Sequence, residues 1–343
     1  MDEPSRKRRG LGRVTVFDVA KLADTSAMAI SRYYKDPERV SPDLRERIRK
    51  AIEQLGYIRN EAAGGLASTR GRIVGAIMPS VSNSIFAETI QGLTSTLSQK
   101  NYQLLLATHD YSLDNEEKIV RTFLGWQPRA LVLTGATHND ATEVLLSGLT
   151  IPVIETWDIQ MDRPYPQIGF SHMAAGRDMT LYLHGRGYRR IVYVATTIAT
   201  DYRARQRAQG YQETMQALGL PPRIVQPDQA APFDAGGAVL TQLLAEPAPP
   251  DVLFFSNDNM AAGAILEAAN RGIRIPEQCA VAGFGDFPIS AKLMPALTTI
   301  RVPRFEIGRL AADTILARLG EINAAVPERP EALPYELVAR ASA

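Results

Sequence analysis

Residues 15–34, Thr15-Val16-Phe17-Asp18-Val19-Ala20-Lys21-Leu22-Ala23-Asp24-Thr25-Ser26-Ala27-Met28-Ala29-Ile30-Ser31-Arg32-Tyr33-Tyr34, read as two short helices and the turn between them. Thr15 is an N-cap candidate with Asp18 three residues on, and Val16, Val19, Ala20 and Leu22 carry the apolar spacing of a helix to about Ala23. Asp24-Thr25 breaks it, with Asp24 where such turns often carry glycine; aspartate tolerates the left-handed conformation that the turn needs. Ser26 caps a second helix through Tyr34, which turns Ile30 and Tyr33 inward and Ala27, Met28 and Arg32 outward. Asp36-Pro37 stops it. Ser41 and Pro42 then start a third, in which Leu44, Ile48, Ile52 and Leu55 repeat until Gly56 and Arg45, Arg47, Arg49 and Lys50 face out. Two short helices joined by a tight turn form a helix-turn-helix, whose second helix enters the DNA major groove while the first lies across the phosphates. A three-helix cap that only packs on the rest of the chain is the alternative.

Outward from this unit the pattern changes twice. Residues 59–72 are small, polar and glycine-bearing, with Gly64-Gly65 and one large apolar residue, Leu66. Each glycine costs about 1 kcal/mol in a helix, so a helix here would need support from DNA or a partner chain. Leu66 then either touches the body or wedges into the minor groove. From Ile73 short apolar runs (73–78, 103–107, 130–133, 152–154) alternate with amphipathic stretches such as 85–99 and 116–124. The second half repeats this with runs at 191–195, 252–255 and 281–284 and helical stretches at 173–184, 206–218 and 260–271. Continuous apolar strands alternating with helices predict an α/β fold of parallel sheets covered on both faces. Two such units in tandem predict a cleft with ligand groups at the carboxyl ends of the strands. The expected organisation is therefore an all-α headpiece at 1–58, a hinge at 59–71 and a two-subdomain body at 72–343.

The 343 residues include 38 Lys+Arg against 37 Asp+Glu, a balance that hides an asymmetry. Residues 1–72 hold 16 basic and 10 acidic residues, or +6, leaving 22 and 27, or −5, for the remainder. A basic head on an acidic body points to a polyanionic partner, with a solvated charged face as the plainer reading. Hydrophobic residues at 45% argue against disorder or a coiled coil. The one cysteine, Cys279, lies in an apolar run as a buried thiol, which leaves no disulfide within the chain. Met1 to Arg13 lacks the apolar core of a secretory signal, and no stretch approaches the roughly 20 apolar residues of a membrane span, so the expected location is cytoplasmic. His109, His138, His172 and His184 are scattered without metal-ligand spacing. There is no nucleophile elbow and no phosphate-binding loop, and Gly283-Phe284-Gly285 lacks the third glycine of a dinucleotide motif. Neither catalysis nor a cofactor is expected.

The run Thr15-Val16-Phe17-Asp18-Val19-Ala20, with Ser26, Ile30-Ser31-Arg32, Val40-Ser41 and Leu55-Gly56-Tyr57-Ile58 with Asn60, resembles the headpiece of the lactose-repressor (LacI/GalR) family. The body resembles the family at Ile73-Val74-Gly75, Phe86-Ala87-Glu88, Ser256-Asn257-Asp258 and Val281-Ala282-Gly283-Phe284, so the likeness covers nearly the whole chain. Ile154-Glu155 and Trp157-Asp158 look most like the gluconate- and ketogluconate-operon repressors. The resemblance implies a homodimeric transcriptional repressor that reads operator DNA with paired helices. By position it places Ala27, Met28 and Arg32 at base edges, Thr15, Ser26, Ser31 and Tyr57 at phosphates, and Asn60, Ala63 and Leu66 in a hinge with Leu66 as the wedge. It places Arg205 as the effector-binding arginine and Phe86, Phe233, Asn257, Ser80 and Trp157 around the effector. Many sugar-binding members carry Asp where this chain has Gly285. A cleft without that carboxylate suits an anionic effector, so a sugar acid of the gluconate or ketogluconate type is expected over a neutral sugar. A secreted-type sugar-binding protein shares the body's architecture but has no use for residues 15–66, and an enzyme on this fold would need a nucleophile, metal or cofactor signature.

Overall fold

The computed structural model describes residues 14–57, 71–81, 84–196, 200–228, 231–324 and 331–343. The chain divides into two compact units, Met1–Gly71 and Arg72–Ala343. Asn60, Ala63, Leu66 and the rest of 58–70 lie outside the described residues.

In the first unit, α1 (Val16–Leu22) starts in a capping box: Thr15 Oγ1 accepts from Asp18 N–H at 3.3 Å and Asp18 Oδ2 accepts from Thr15 N–H at 2.7 Å. Asp24 turns the chain at φ +48°, the left-handed geometry expected of it. The second helix, α2 (Ala27–Lys35), runs one residue past its expected end. A 3-10 turn at Pro37–Arg39 leads to α3 (Pro42–Leu55), closed by left-handed Gly56 at φ +59°. The expected Ser41 cap makes no side-chain hydrogen bond; Pro42 presets φ for the first turn and has no N–H to satisfy. Val19, Ala20, Ala23, Ile30, Val40, Ile48 and Ala51 form the small core, with Tyr33 and Tyr57 half-buried against it.

The second unit alternates strands and helices. Its elements are β1 (Ile73–Met78), α4 (Ala87–Ser98) after a 3-10 turn at Ser84–Phe86, β2 (Gln103–Thr108), α5 (Leu113–Gly125), β3 (Ala130–Thr134), α6 (Asp140–Ser147), β4 (Val153–Thr156), β5 (Gln167–Gly169), α7 (His172–Gly185), β6 (Ile191–Val194), α8 (Tyr202–Ala217), β7 (Arg223–Val225), α9 (Pro232–Leu244), β8 (Val252–Phe255), α10 (Asp258–Arg271), β9 (Ala280–Ala282), β10 (Thr299–Arg301), α11 (Arg304–Arg318), β11 (Glu331–Ala332) and β12 (Glu336–Val338). One sheet has the order β11-β5-β4-β3-β1-β2 and another β7-β6-β8-β9, all neighbours parallel, while β10 and β12 form an antiparallel pair. Strands of parallel sheets are buried on both faces, which is why β1, β3, β6 and β8 read as unbroken apolar runs. The chain crosses between the lobes more than once, since α11, close to the C-terminus in sequence, packs Ala311, Ala312 and Ile315 into the first lobe's core.

Helix pairs in this unit meet through reciprocal glycines. A Cβ at Gly176 of α7 would collide with the Arg207 carbonyl of α8, and a Cβ at Gly210 of α8 would collide with the Met173 carbonyl of α7. The same arrangement joins α4 to α11 through Gly92 and Gly308, and α9 to α10 through Gly236 and Gly263. At the first of these crossings the backbones touch, and that contact brings Arg207 against His172.

Candidate functional site

In the headpiece, helix α2 turns Met28 outward at 72% exposure, with Ser31 and Arg32 also exposed and Ala27 half-buried. Ser26 Oγ accepts from Ala29 N–H at 3.2 Å, and Thr15 Oγ1 donates to Asp18 Oδ2 at 2.6 Å, so both hydroxyls hold helix starts at the exposed end of the motif. Tyr57 is half-buried. Phe17, also 72% exposed, is a further large apolar side chain on this unit's surface, and its signal was present: it falls outside the stripe of Val16, Val19 and Ala20. The cations of α3 are already engaged. Arg45 lies 3.0 Å from Glu38, Arg47 3.3 Å from Asp43, Arg49 2.6 Å from Glu46 and Glu53, and Lys50 3.7 Å from Glu46. Each such surface pair is worth about 0–1 kcal/mol, yet together they neutralise that face.

In the body, side chains converge from the carboxyl ends of strands in both lobes. Phe86 follows β1, Tyr111 follows β2, Trp157 follows β4, Thr196 follows β6 and Asn257 follows β8; with His172, Asp201, Arg203 and Arg207 they line a cavity of about 30 Å³. This is the crevice expected of doubly wound sheets. Phe86 and Trp157 meet edge to face at 5.1 Å between centroids. Trp157 holds φ +71°, a strained geometry for a bulky residue, at a cost on the order of 1–3 kcal/mol. Its surroundings fix it: the backbone N–H donates to Ile168 O at 2.9 Å, and Nε1 donates to Thr89 Oγ1 at 3.2 Å. Asn257 caps α10, its Oδ1 accepting from Met260 N–H at 3.1 Å.

Two guanidinium groups define the cavity's charge. Arg207 donates through Nη1 to His172 Nδ1 at 2.9 Å and through Nη2 to Ser256 O at 3.1 Å, and stacks 4.0 Å over the Phe284 ring. Arg203 donates to Thr134 O at 3.2 Å and lies 5.7 Å from the Phe86 ring centre. These partners are all neutral. Asp201 is the cavity's carboxylate, and it is tied to the start of α8 by Ala204 N–H at 3.2 Å. The departure at Gly285 also has a structural counterpart. Gly285 sits at φ +130°, and the following Asp286 pairs at 2.7 Å with both Arg301 and Arg340.

Beside this cavity lies a chamber of about 410 Å³, lined by His109, Ser112, Glu116, Thr134 and Thr137 and sharing Tyr111 and Arg203 with it. Next to the chamber, His138 Nδ1 lies 2.5 Å from Glu116 and Nε2 3.5 Å from Glu155; Glu155 also binds Arg163 and, at 2.8 Å, Gln167. Burial opposes a charge on His138, but the two carboxylates outweigh it and hold its pKa up to about 9. His109 behaves oppositely: burial first, with Arg203 and His138 adding to it against Glu116 and a hydrogen bond to the Ser112 backbone, pushes it below its ordinary value.

Three expected effector residues are placed differently. Arg205 is exposed and lies at the chamber rather than in the cavity, because α8 buries the face of Arg203, Ala204, Arg207 and Tyr211. The i, i+4 spacing of Arg203 and Arg207, in phase with Tyr211 and Met215, was the available signal. Phe233 is 41% exposed and lines an outward groove with Asp234, Leu266 and Glu267, since α9 begins at Pro232 and sets Phe233 alongside α10. Ser80 is half-buried two residues beyond β1 and lines neither of these cavities. His172, Arg203, Arg207 and Tyr111 are the site residues that the sequence reading missed. Asp258 is structural: fully buried, it accepts from Ser290 Oγ and Thr299 Oγ1 at 2.6 Å each. Among the described residues no group of acidic, histidine and cysteine side chains could hold a metal ion, and no helix is long and apolar enough to cross a membrane.

A helix-turn-helix unit carried on a two-lobed body with a charged interlobe cavity is the plan of a DNA-binding regulator that answers a small molecule. The chain belongs to the LacI family of bacterial transcriptional regulators. Residues 15–60 match the model of bacterial regulatory proteins of the lacI family, and residues 180–343 that of the periplasmic binding protein-like domain. It is 34% identical over 339 residues to the HTH-type transcriptional regulator GntR of Pseudomonas aeruginosa, covering 98% of each chain. It is 33% identical to the HTH-type transcriptional regulator IdnR of Escherichia coli, covering 90% of this chain and 92% of that one. A LacI-family transcriptional regulator from Silicibacter pomeroyi, known from a crystal structure, superposes with a TM-score of 0.88 at 32% identity over 96% of this chain and 99% of that one.

Proposed function

We propose that this regulator is a cytoplasmic homodimeric repressor released from its operator by a sugar acid of the gluconate or ketogluconate type. The observation that carries the effector class is the pair Arg203 and Arg207, two buried guanidinium groups whose partners are neutral and which face a cavity with one capped carboxylate. A carboxylate bound there would supply charge-assisted hydrogen bonds that a neutral sugar lacks. Phe86 and Trp157 offer apolar faces to the carbon chain, and Asn257 an amide to its hydroxyls. Headpiece, hinge and body divide as 1–58, 59–71 and 72–343. Arg32 reads base edges with Ala27 and Met28, while Thr15, Ser26, Ser31 and Tyr57 hold phosphates. Asn60, Ala63 and Leu66 belong to the hinge, Leu66 wedging into the minor groove. Effector and operator are linked, so each weakens the other's binding by the same factor.

Calorimetry with gluconate, 2-ketogluconate and glucose tests the effector class, and a gel shift of operator with and without the tightest of them tests release. Aldonate binding with no heat from glucose is expected. Tight glucose binding with no aldonate binding would overturn the sugar-acid reading.

A further inference from the structure

The outward face of α2 is chemically lopsided. Of its side chains Ala27, Met28, Ser31 and Arg32, Arg32 is the one cation, no acidic residue stands in the helix's first turn, and Met28 is 72% exposed. The face is therefore open to a polyanion, unlike that of α3, whose cations lie against Glu38, Asp43, Glu46 and Glu53. Arginine matches the two acceptors of guanine. Ala27 and Met28 have no donor to offer, and the methionine sulfur is only a weak acceptor. Laid against adenine, guanine or cytosine they would cover amino or carbonyl groups without pairing them, which costs free energy. Thymine is the base whose major-groove edge carries an apolar group, the C5 methyl. Met28, unbranched and with three rotatable bonds, adapts to such a contact. Met28 and Arg32 stand four residues apart on one side of α2, about 6 Å along its axis. Base pairs rise by about 3.4 Å each, so the two side chains reach edges within about two base pairs of one another.

We propose that Met28 is a specificity-determining residue for thymine, packing on its methyl group within two base pairs of the guanine that Arg32 reads in each half-site. This rests on the reading that α2 turns Ala27, Met28 and Arg32 to base edges. The two long side chains divide the recognition: Arg32 selects a base by its acceptors, and Met28 selects one by a single carbon.

The test starts from a library of random DNA duplexes, from which the full-length protein selects its preferred sequence. The wild type selects a guanine with a thymine one or two base pairs away in each half-site. Deoxyuridine in place of that thymine deletes the methyl group alone, and in a gel-shift titration it weakens binding about fourfold per half-site, the worth of one buried methyl group. Met28→Ala changes an exposed side chain to a good helix former, so the fold is kept. This variant binds the thymine and deoxyuridine duplexes equally, and its selected sequence loses the thymine while keeping the guanine. At the same position 5-methylcytosine binds better than cytosine to the wild type and no better to Met28→Ala. Selection of no thymine near the guanine, or equal binding of thymine and deoxyuridine by the wild type, overturns the methyl contact; a methyl preference undiminished in Met28→Ala overturns the role of Met28. In each of these cases loss of the guanine in Arg32→Ala leaves the reading of α2 standing. Selection of no sequence, or of one same sequence by the wild type, Met28→Ala and Arg32→Ala, overturns that reading and the thymine contact with it.

Discussion

Nη1 of Arg207 lies 2.9 Å from Nδ1 of His172, whose Nε2 lies 2.8 Å from the carbonyl oxygen of Trp157. A carbonyl can only accept, so Nε2 carries the ring proton and Nδ1 receives the guanidinium's. Burial, then the charges of Arg207 and Arg203, pushes His172 well below the ordinary histidine range and keeps it neutral. The imidazole thus couples the strained end of β4 to an arginine one turn inside α8.

His172→Phe keeps an aromatic ring but removes the acceptor, a charge-assisted hydrogen bond worth about 1.5–3 kcal/mol. Effector affinity measured by calorimetry should fall tenfold or more, with operator affinity in the absence of effector unchanged within twofold. An unchanged effector affinity would show that Arg207 needs no such support.

Arg203→Ala and Arg207→Ala should each weaken effector binding by more than tenfold, whereas Arg205→Ala, at an exposed position, should change it less than twofold. Thermal shift at saturating effector ranks the three quickly, since a ligand that binds only the folded state raises its stability. A ranking with Arg205 first would restore the arginine that the family likeness suggested.

On the operator, Arg32→Ala should relax base preference at one position by about 1–3 kcal/mol, and Leu66→Ala should weaken specific binding well over tenfold while nearly sparing random DNA. Competition gel shifts against single-base operator variants read the first. Retention of every base preference would remove Arg32 from the reading surface.

His138 gives stability a pH dependence. Its folded pKa of about 9 exceeds the unfolded value of about 6.5, so the stabilisation is fully present below pH 6.5 and is lost as pH rises toward 9. Up to about 3 kcal/mol is at stake. Urea unfolding of the wild type should show a larger loss of stability between pH 6 and pH 9.5 than that of His138→Gln. Parallel losses in the two proteins would mean that His138 is neutral when folded.

Gly176→Ala drives a methyl group into the Arg207 carbonyl and should cost at least 1–3 kcal/mol as an overpacked contact, lowering the melting temperature and effector affinity together. A melting temperature unchanged in this variant would mean that α7 and α8 can separate without consequence.

The headpiece helices were legible almost to the residue, because the Thr15 and Ser26 caps, the Asp24 turn and the apolar stripe are local signals. Strands β1, β3 and β8, of four to six residues, were legible because burial on both faces leaves an apolar run. Strands of two or three residues such as β7, β10 and β11 carry too few positions for a period, and they take their place from the sheets they join. In the cleft, Phe86, Trp157 and Asn257 came from the family likeness, and each lies just after a strand of the sheets. Arg205 was chosen over Arg203 and Arg207 by family position rather than helix phase. His172 had no signal of its own, since its role exists only where α7 touches α8.

The reciprocal glycines also bear on how this protein can change over evolutionary time. At each of the three crossings the space for a side chain is denied by the opposite backbone, so neither glycine can be exchanged alone and a change on one helix cannot make room for the other. Drift at those six positions is closed to single steps. Variation in ligand preference must instead arise from residues that project past the crossings, such as those around the chamber, while the spacing of the helices that carry Arg207 and His172 stays fixed.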